Sequence, residues 1–200
     1  MVLIGLYYAL GLTAIGLVVA YFSHPSYGLP FYLLACFCLW FFRDPERTIP
    51  SGNVAVSPAD GKVVAIGKDP DNRTRLGIFL NVFDVHVNRA PISGVITHID
   101  YKPGKFLVAS RDEAASENEQ NTFTVQGNGT TVVFSQIAGL IARRIVCYKR
   151  PGDAVAAGER VGLIQFGSRV DVLLGDEWEL AVREGQRVSA GSSIIARRKQ

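Results

Sequence analysis

Histidine and cysteine, the side chains best suited to proton transfer near neutral pH, nucleophilic attack and zinc binding, are scarce in this 200-residue sequence. The histidines are His24, His86 and His98, and the cysteines are Cys36, Cys38 and Cys147. The cysteines form no CxxC and stand in no Cys/His spacing suited to zinc. No metal site is expected, and the thiols read as free groups of a reducing compartment. In Phe83-Asp-Val-His-Val-Asn88, strand alternation puts Phe83, Val85 and Val87 on one face and Asp84, His86 and Asn88 on the other. That stripe is either the wet face of a strand or an imidazole able to move protons near neutral pH. Asp60, in Ser57-Pro-Ala-Asp-Gly61, is a carboxylate in what also reads as an ordinary Asp-Gly turn. Phe166-Gly-Ser-Arg169 interrupts two β-branched runs, where Gly-Ser reads as a bulge or tight turn. It is not the Gly-x-Ser-x-Gly elbow of hydrolases, because Phe166 and Val170 stand where the glycines belong.

The elements that must position these groups read as strands. Short β-branched runs occur at Val54–Val56, Lys62–Ile66, Gly77–Val87, Val95–Ile99, Thr122–Val125, Thr131–Ser135, Leu140–Tyr148, Val161–Phe166, Val170–Leu174 and Glu179–Val182. Gly, Pro, Asn and Asp punctuate them at the spacing of a sandwich or barrel. Arg111 to Gln120 comes nearest to a helical period, within a polar loop. Arg150-Pro-Gly-Asp-Ala-Val-Ala-Ala-Gly158 matches Arg183-Glu-Gly-Gln-Arg-Val-Ser-Ala-Gly191, and Pro58-Ala-Asp-Gly-Lys-Val63 matches Pro91-Ile-Ser-Gly-Val-Ile96. This is similar to the barrel-sandwich folds of lipoyl and biotinyl carrier domains, so the expected fold is mainly β and barrel-sandwich-like. No lysine stands at a hairpin tip in the lipoyl or biotin context, which argues against a swinging-arm carrier.

Charge divides the chain. The 21 basic and 18 acidic residues all lie beyond Phe42. The hydrophobic content of 48% excludes a disordered chain, and a net charge of +3 is too small to argue for nucleic acid. Val2 to Phe22 is an unbroken apolar run, long enough as a helix to cross a bilayer core at about 1.5 Å per residue. Ser23 to Gly28 reads as a turn, and Leu29 to Phe42 as a second, shorter apolar arm, either a tilted span or a re-entrant one. Arg43 and Arg47 place that end on the cytoplasmic side. No Lys or Arg precedes the first run, which argues against a cleaved signal peptide. Residues 1–42 are therefore expected to form a helical membrane hairpin and 43–200 a β-rich domain.

Taken in order, six segments resemble a known family. They are Phe41-Phe-Arg-Asp-Pro-Glu-Arg47 after the uncharged hairpin, Ser57-Pro-Ala-Asp-Gly61, Phe79-Leu-Asn-Val-Phe-Asp-Val-His-Val-Asn-Arg-Ala-Pro91, Gly104-Lys-Phe106, Glu117-Asn-Glu119 and Phe166-Gly-Ser-Arg-Val-Asp-Val172. Together they look like the short-form, pyruvoyl-dependent phosphatidylserine decarboxylases, and the match runs over nearly the whole chain.

The resemblance implies a cofactor made from the chain itself. Ser168 would attack the Gly167 carbonyl, and the chain would split into residues 1–167 and 168–200, the latter capped by a pyruvoyl group. That group would form a Schiff base with the serine amine of phosphatidylserine, carbon dioxide would leave, and the product would be phosphatidylethanolamine. Asp60 matches the family's acidic processing residue, and His86 the histidine that protonates the carbanion. Arg169, Asn88 and Lys105 are expected to contact the substrate, with Lys102 and Arg75 as further head-group candidates. Gln120 stands where a basic residue is expected.

Arg89 stands where long-form members carry a second histidine, and a guanidinium cannot act as the base. Self-cleavage then needs His86 in a double role, His98 in the missing place, or a water activated by Asp60; the first is favoured. The implied partner is phosphatidylserine at the cytoplasmic face of the cell membrane, with the two fragments remaining associated and a homodimer possible. Two other readings are an archaetidylserine decarboxylase, with the same head group on ether lipid, and a non-enzymatic membrane-anchored barrel-sandwich adaptor.

Overall fold

The computed structural model describes residues 2–105, 107, 117–139, 144–165 and 167–199. Most of the expected helical stretch from Arg111 to Gln120 lies outside them, as do Leu140, Phe106 and Phe166. The chain forms two compact units, Met1–Glu46 and Arg47–Gln200.

The first unit is a helical hairpin. Helix α1 spans Leu3–Phe22, a 3-10 turn spans Pro25–Gly28, and α2 spans Leu29–Phe41. With no charged residue and 20 residues of length, α1 is long and apolar enough to cross a membrane. The shorter α2 has 13 residues and rises about 20 Å. The helices approach closely because α1 puts small residues at their contact. A Cβ on Gly5 would come within 2.4 Å of Phe42 Cβ, and one on Gly16 within 2.6 Å of the Tyr32 ring. His24 caps the 3-10 turn, its Nδ1 accepting the Ser26 N–H at 3.4 Å.

Among the described residues, the second unit is built from three antiparallel sheets. The largest curls into a half-barrel. Its order is β13 (Arg187–Val188), β2 (Gly61–Lys68), β3 (Thr74–Leu80), β11 (Ser168–Leu174), β7 (Thr130–Ala138), β6 (Gln120–Gly127), β5 (Gly94–Lys102) and β9 (Ala154–Val155). A second sheet places β10 (Arg160–Ile164) between β4 (Val87–Arg89) and β8 (Ile145–Cys147). A third places β14 (Ile194–Arg198) between β1 (Val54–Val56) and β12 (Trp178–Leu180). Alternate residues of the large sheet fill the core: Leu76, Ile78 and Leu80 of β3, Phe123 and Val125 of β6, Val132 and Phe134 of β7, and Val170, Val172 and Leu174 of β11. Each fully buried side chain of this kind contributes about 1.5–3 kcal/mol. Phe123 and Phe134 stack across the β6–β7 pair with ring centroids 4.8 Å apart.

The sequence repeat is a structural repeat with matched hydrogen bonds. Gly158 N–H donates to Ala90 O and Gly191 N–H to Ser57 O, both at 2.8 Å. Gly152 N–H meets Ile96 O as Gly185 N–H meets Val63 O. Strand β9 pairs with the start of β5 as β13 pairs with the start of β2. Gly158 and Gly191 have φ of +77° and +75°, the left-handed turn that favours glycine.

One expectation is corrected. Gly77–Val87 is not a single strand with a wet polar stripe. Strand β3 ends at Leu80, and a turn follows in which Asp84 N–H donates to Asn81 O at 3.0 Å and Phe83 N–H to Asn81 Oδ1 at 2.7 Å. The turn swings the chain into the second sheet, so Asp84, His86 and Asn88 are buried while Phe83 points outward at 67% exposure.

Candidate active site

Antiparallel register gathers the distant motifs at one end of the large sheet. Strands β2, β11 and β6 begin there, at Gly61, Ser168 and Gln120, and strands β3, β7 and β5 end there, at Leu80, Ala138 and Lys102. Ser168 lies between Leu80 on β3 and Ala138 on β7. Asp60, the Asn81–Asp84 turn, Gly167-Ser168 and Asn118 therefore flank one another although they are scattered over more than half of the sequence.

The second sheet delivers His86. Strand β10 pairs with β4 so that Leu163 faces Val87, and Ile164 N–H donates to His86 O at 3.2 Å. The end of β10, which leads into Gly167, is thus held beside the start of β4, which His86 precedes. His86 is 2% exposed. Its Nδ1 lies 2.9 Å from Asp84 O, and its Nε2 accepts the Gly167 N–H at 3.1 Å. The Gly167 amide can only donate and the Asp84 carbonyl can only accept, so the neutral ring carries its proton on Nδ1.

Gly167 has φ of +73°, with no neighbour among the described residues within 4 Å of where a Cβ would stand. Ser168 is fully buried, and among the described residues its Oγ has no hydrogen-bond partner. A buried hydroxyl of that kind is costly unless it has a task. The left-handed glycine turn, the bare hydroxyl and the nearby imidazole suit a reaction at the 167–168 peptide.

Asp60 is held elsewhere at the same strand end. Arg47 Nη2 donates to its two oxygens at 3.0 and 2.8 Å, and Ala190 N–H donates to Oδ1 at 2.7 Å. The repeat separates turn chemistry from charge. Ser93 occupies the equivalent position, and its Oγ accepts the Ala157 N–H at 2.8 Å. An oxygen is therefore all that this turn requires, and the carboxylate charge at Asp60 is an addition.

The expected substrate contacts are differently placed. Asn88 is buried, accepting from Gln136 Nε2 at 2.8 Å and donating to Pro58 O at 3.5 Å. Arg169 is fully buried on the strand face opposite Ser168, where its Nε donates to Asp171 Oδ1 at 2.5 Å. Its guanidinium covers Gly77, where a Cβ would come within 2.4 Å of Nη2. Arg75 shares Asp171, its Nε donating to Oδ2 at 2.8 Å. Lys105 is exposed and donates to Glu117 Oε2 at 2.8 Å, which holds its ammonium above the usual lysine range. Lys102 ends β5 and is exposed.

His98 does not take the missing place. It is exposed in the middle of β5, and β6 and β7 separate it from β11, three strand spacings or about 14 Å. Arg89 instead donates from Nη1 to Gly158 O at 3.0 Å, and a Cβ on Gly191, the matching glycine of the other copy, would come within 3.1 Å of its Cδ.

Sequence reasoning gave no site role to three residues at this end of the sheet. Asn118 is fully buried and joins two of the motifs to β7: its Oδ1 accepts Leu107 N–H at 2.8 Å, and its Nδ2 donates to Leu107 O at 2.9 Å and Ala138 O at 2.7 Å. Arg47 forks Asp60, as described above. Arg187 pairs with Asp84 across 103 residues. The repeat held a signal for the last, since Arg187 stands opposite Ala154 in the matching copy.

Comparison with known proteins agrees with this arrangement. The profile of the family described as phosphatidylserine decarboxylase matches residues 34–196. The chain is 66% identical over 194 residues to a phosphatidylserine decarboxylase proenzyme of Solibacter usitatus, covering 97% of this chain and 95% of that protein. It is 45% identical over 194 residues to the proenzyme of Burkholderia pseudomallei, covering 92% and 90%. The proenzyme of Burkholderia ambifaria is 44% identical over 198 residues, covering 94% and 92%. With most of the chain matched by the family profile and two thirds of its residues shared with a full-length relative, the chain belongs to the phosphatidylserine decarboxylase family.

Proposed function

We propose that this chain is a self-processing proenzyme that converts phosphatidylserine to phosphatidylethanolamine. The observation that carries the reading is the Gly167–Ser168 peptide: a left-handed glycine, then a buried serine hydroxyl with no hydrogen-bond partner among the described residues, with the His86 imidazole on the Gly167 amide. These residues fit a pyruvoyl group derived from Ser168.

In processing, Ser168 Oγ attacks the Gly167 carbonyl carbon. The new C–O bond replaces the C–N bond, and the hydroxyl proton ends on the freed Ser168 amine. Loss of the Ser168 α-proton expels the Gly167 carboxylate and splits the chain. The resulting enamine takes up water and releases ammonia, leaving the keto group on residue 168. His86 is the base within reach, and it serves both processing and decarboxylation. Its Nε2 lone pair accepts the Gly167 N–H in the uncleaved chain; that bond opens for Nε2 to take up a proton in processing, and departure of the new Gly167 terminus leaves it free for decarboxylation. Asp60 supplies fixed negative charge about two strand spacings, or 10 Å, from Ser168.

Once formed, the pyruvoyl group supplies a carbonyl that accepts the substrate amine and draws off the electrons left by carbon dioxide. His86 then delivers a proton at the carbon that has lost the carboxylate. Strand β11 begins at Ser168 and lies between β3 and β7 at the centre of the large sheet, which keeps residues 168–200 bound to 1–167 after cleavage. The apolar hairpin suits a diacyl substrate that stays in the bilayer, and Arg43 and Arg47 suit the cytoplasmic face.

Intact mass of the purified protein with and without hydroxylamine tests the reading, together with release of carbon dioxide from phosphatidylserine in mixed micelles. Two fragments divided at 167/168 are expected, the smaller without a free amino terminus. A single intact chain with full activity overturns it.

A further inference from the structure

The turn that carries His86 is tied down by a residue far along the chain. Asp84 is 6% exposed. Its Oδ2 accepts the Asn81 N–H at 2.9 Å, and its Oδ1 receives Nη2 of Arg187. The Asp84 carbonyl accepts the proton of His86 Nδ1 at 2.9 Å, and His86 Nε2 accepts the Gly167 N–H at 3.1 Å. A continuous series of polar contacts thus runs from Arg187, through Asp84 and His86, to the residue before the cleavage point.

Two observations set Arg187 apart from an ordinary surface arginine. Its counterpart in the repeat is Ala154, which makes the equivalent strand pairing, so the turn itself does not call for a guanidinium. Asp84, by contrast, is a buried carboxylate, and burying a charge is costly unless it is paired. The pair also crosses the 167/168 peptide: Arg187 lies in residues 168–200, and Asp84 and His86 in residues 1–167.

We propose that Arg187 is a positioning residue for the reaction assigned above. Its ion pair with Asp84 holds the His86 turn against β13 and keeps the imidazole in a single tautomer facing residue 167. After cleavage it becomes the contact through which the smaller fragment positions the histidine carried by the larger one. This inference rests on the proposed function only for its kinetic consequence.

The first test needs no turnover. In full-length Ser168→Ala protein, histidine side-chain nitrogen NMR reports the His86 ring. A protonated Nδ1 and bare Nε2 are expected, and adding Arg187→Met should replace that pattern with averaging between tautomers. An unchanged pattern overturns the proposal whatever the activity.

The second test is kinetic, in the cleavable chain. Arg187→Met should lower kcat about tenfold with KM little changed, and Arg187→Lys should recover most of the loss. A double-mutant cycle with Asp84→Asn should be non-additive, the double variant no worse than the poorer single one. Independent, multiplying effects overturn the coupling. Arg187 is 62% exposed on its side chain, so its replacement leaves the core packing in place. Wild-type protein that releases no carbon dioxide counts against the proposed function, whereas active wild type with a fully active Arg187→Met counts against the positioning role alone.

Discussion

Replacing Asn118 should weaken the site end of the large sheet by an amount that the hydrogen bonds allow to be worked out. Its side chain makes three bonds to backbone: from Leu107 N–H and to the carbonyls of Leu107 and Ala138, at 2.7–2.9 Å. In Asn118→Ala the Ala138 carbonyl loses its donor in a fully buried setting, at a cost of about 1–3 kcal/mol, while the half-buried Leu107 groups lose about 0.5–1.5 kcal/mol in all because water can reach them. A loss near 3 kcal/mol lowers the melting temperature by about 6–12 °C in a domain of this size.

Asn118→Asp sharpens the test, because it keeps the shape and turns the donor into an acceptor facing two carbonyls. At neutral pH it should be less stable than Asn118→Ala. The introduced carboxyl is favoured protonated in the folded state, so its folded pKa lies above the unfolded value of about 3.9. Stability is then recovered as pH falls through the folded value and is complete below the unfolded one. Thermal melts of the full chain at pH 7 and pH 4 measure both effects. An Asn118→Asp variant more stable than Asn118→Ala at pH 7, or one that gains nothing relative to it on acidification, refutes the reasoning.

Other outcomes can be checked with the same protein. Ser168→Ala should remain one chain by intact mass, and Gly167→Ala should cleave about tenfold more slowly, because the left-handed turn costs a residue with a Cβ about 1–2 kcal/mol and no neighbour among the described residues obstructs the Cβ itself. His86→Ala should abolish carbon dioxide release, whereas His98→Ala, exposed on β5, should leave cleavage and turnover within about twofold of wild type; loss of cleavage in His98→Ala would contradict the placement. The Lys149 hydrogen bond holds the Glu159 carboxyl below its usual range. This pair stabilises above the unfolded carboxyl pKa and is lost as pH falls through the folded one, so Lys149→Met should cost under about 1 kcal/mol at pH 7 and nothing at pH 2 by denaturant titration.

Much of the architecture is legible without coordinates because its causes are local. The absence of charge before Arg43 and the length of the first apolar run are properties of consecutive residues, and the α1–α2 hairpin follows from them. Short β-branched runs mark β2, β5, β6, β7, β10 and β11 for the same reason. The repeated Gly turns carry their pairing with them, since a left-handed glycine and a following Val dictate the same hydrogen bonds in both copies. Gly167-Ser168, His86 and Asp60 are singled out through the resemblance of their flanking segments to a known family, since each alone also reads as a turn, a bulge or a wet strand face.

What only the tertiary structure decides is which side chains meet. Strand alternation makes Asp84, His86 and Asn88 a solvent-facing stripe, and the turn at Asn81 instead buries all three. Arg169 is adjacent to Ser168 in sequence and on the opposite face in space, paired with Asp171 over Gly77. The partners of Asp60, Asp84 and Ala138 are Arg47, Arg187 and Asn118, and no local pattern links them. Register across several strand pairs sets these meetings, and a residue's own neighbours in sequence do not encode the register of a strand a hundred positions away.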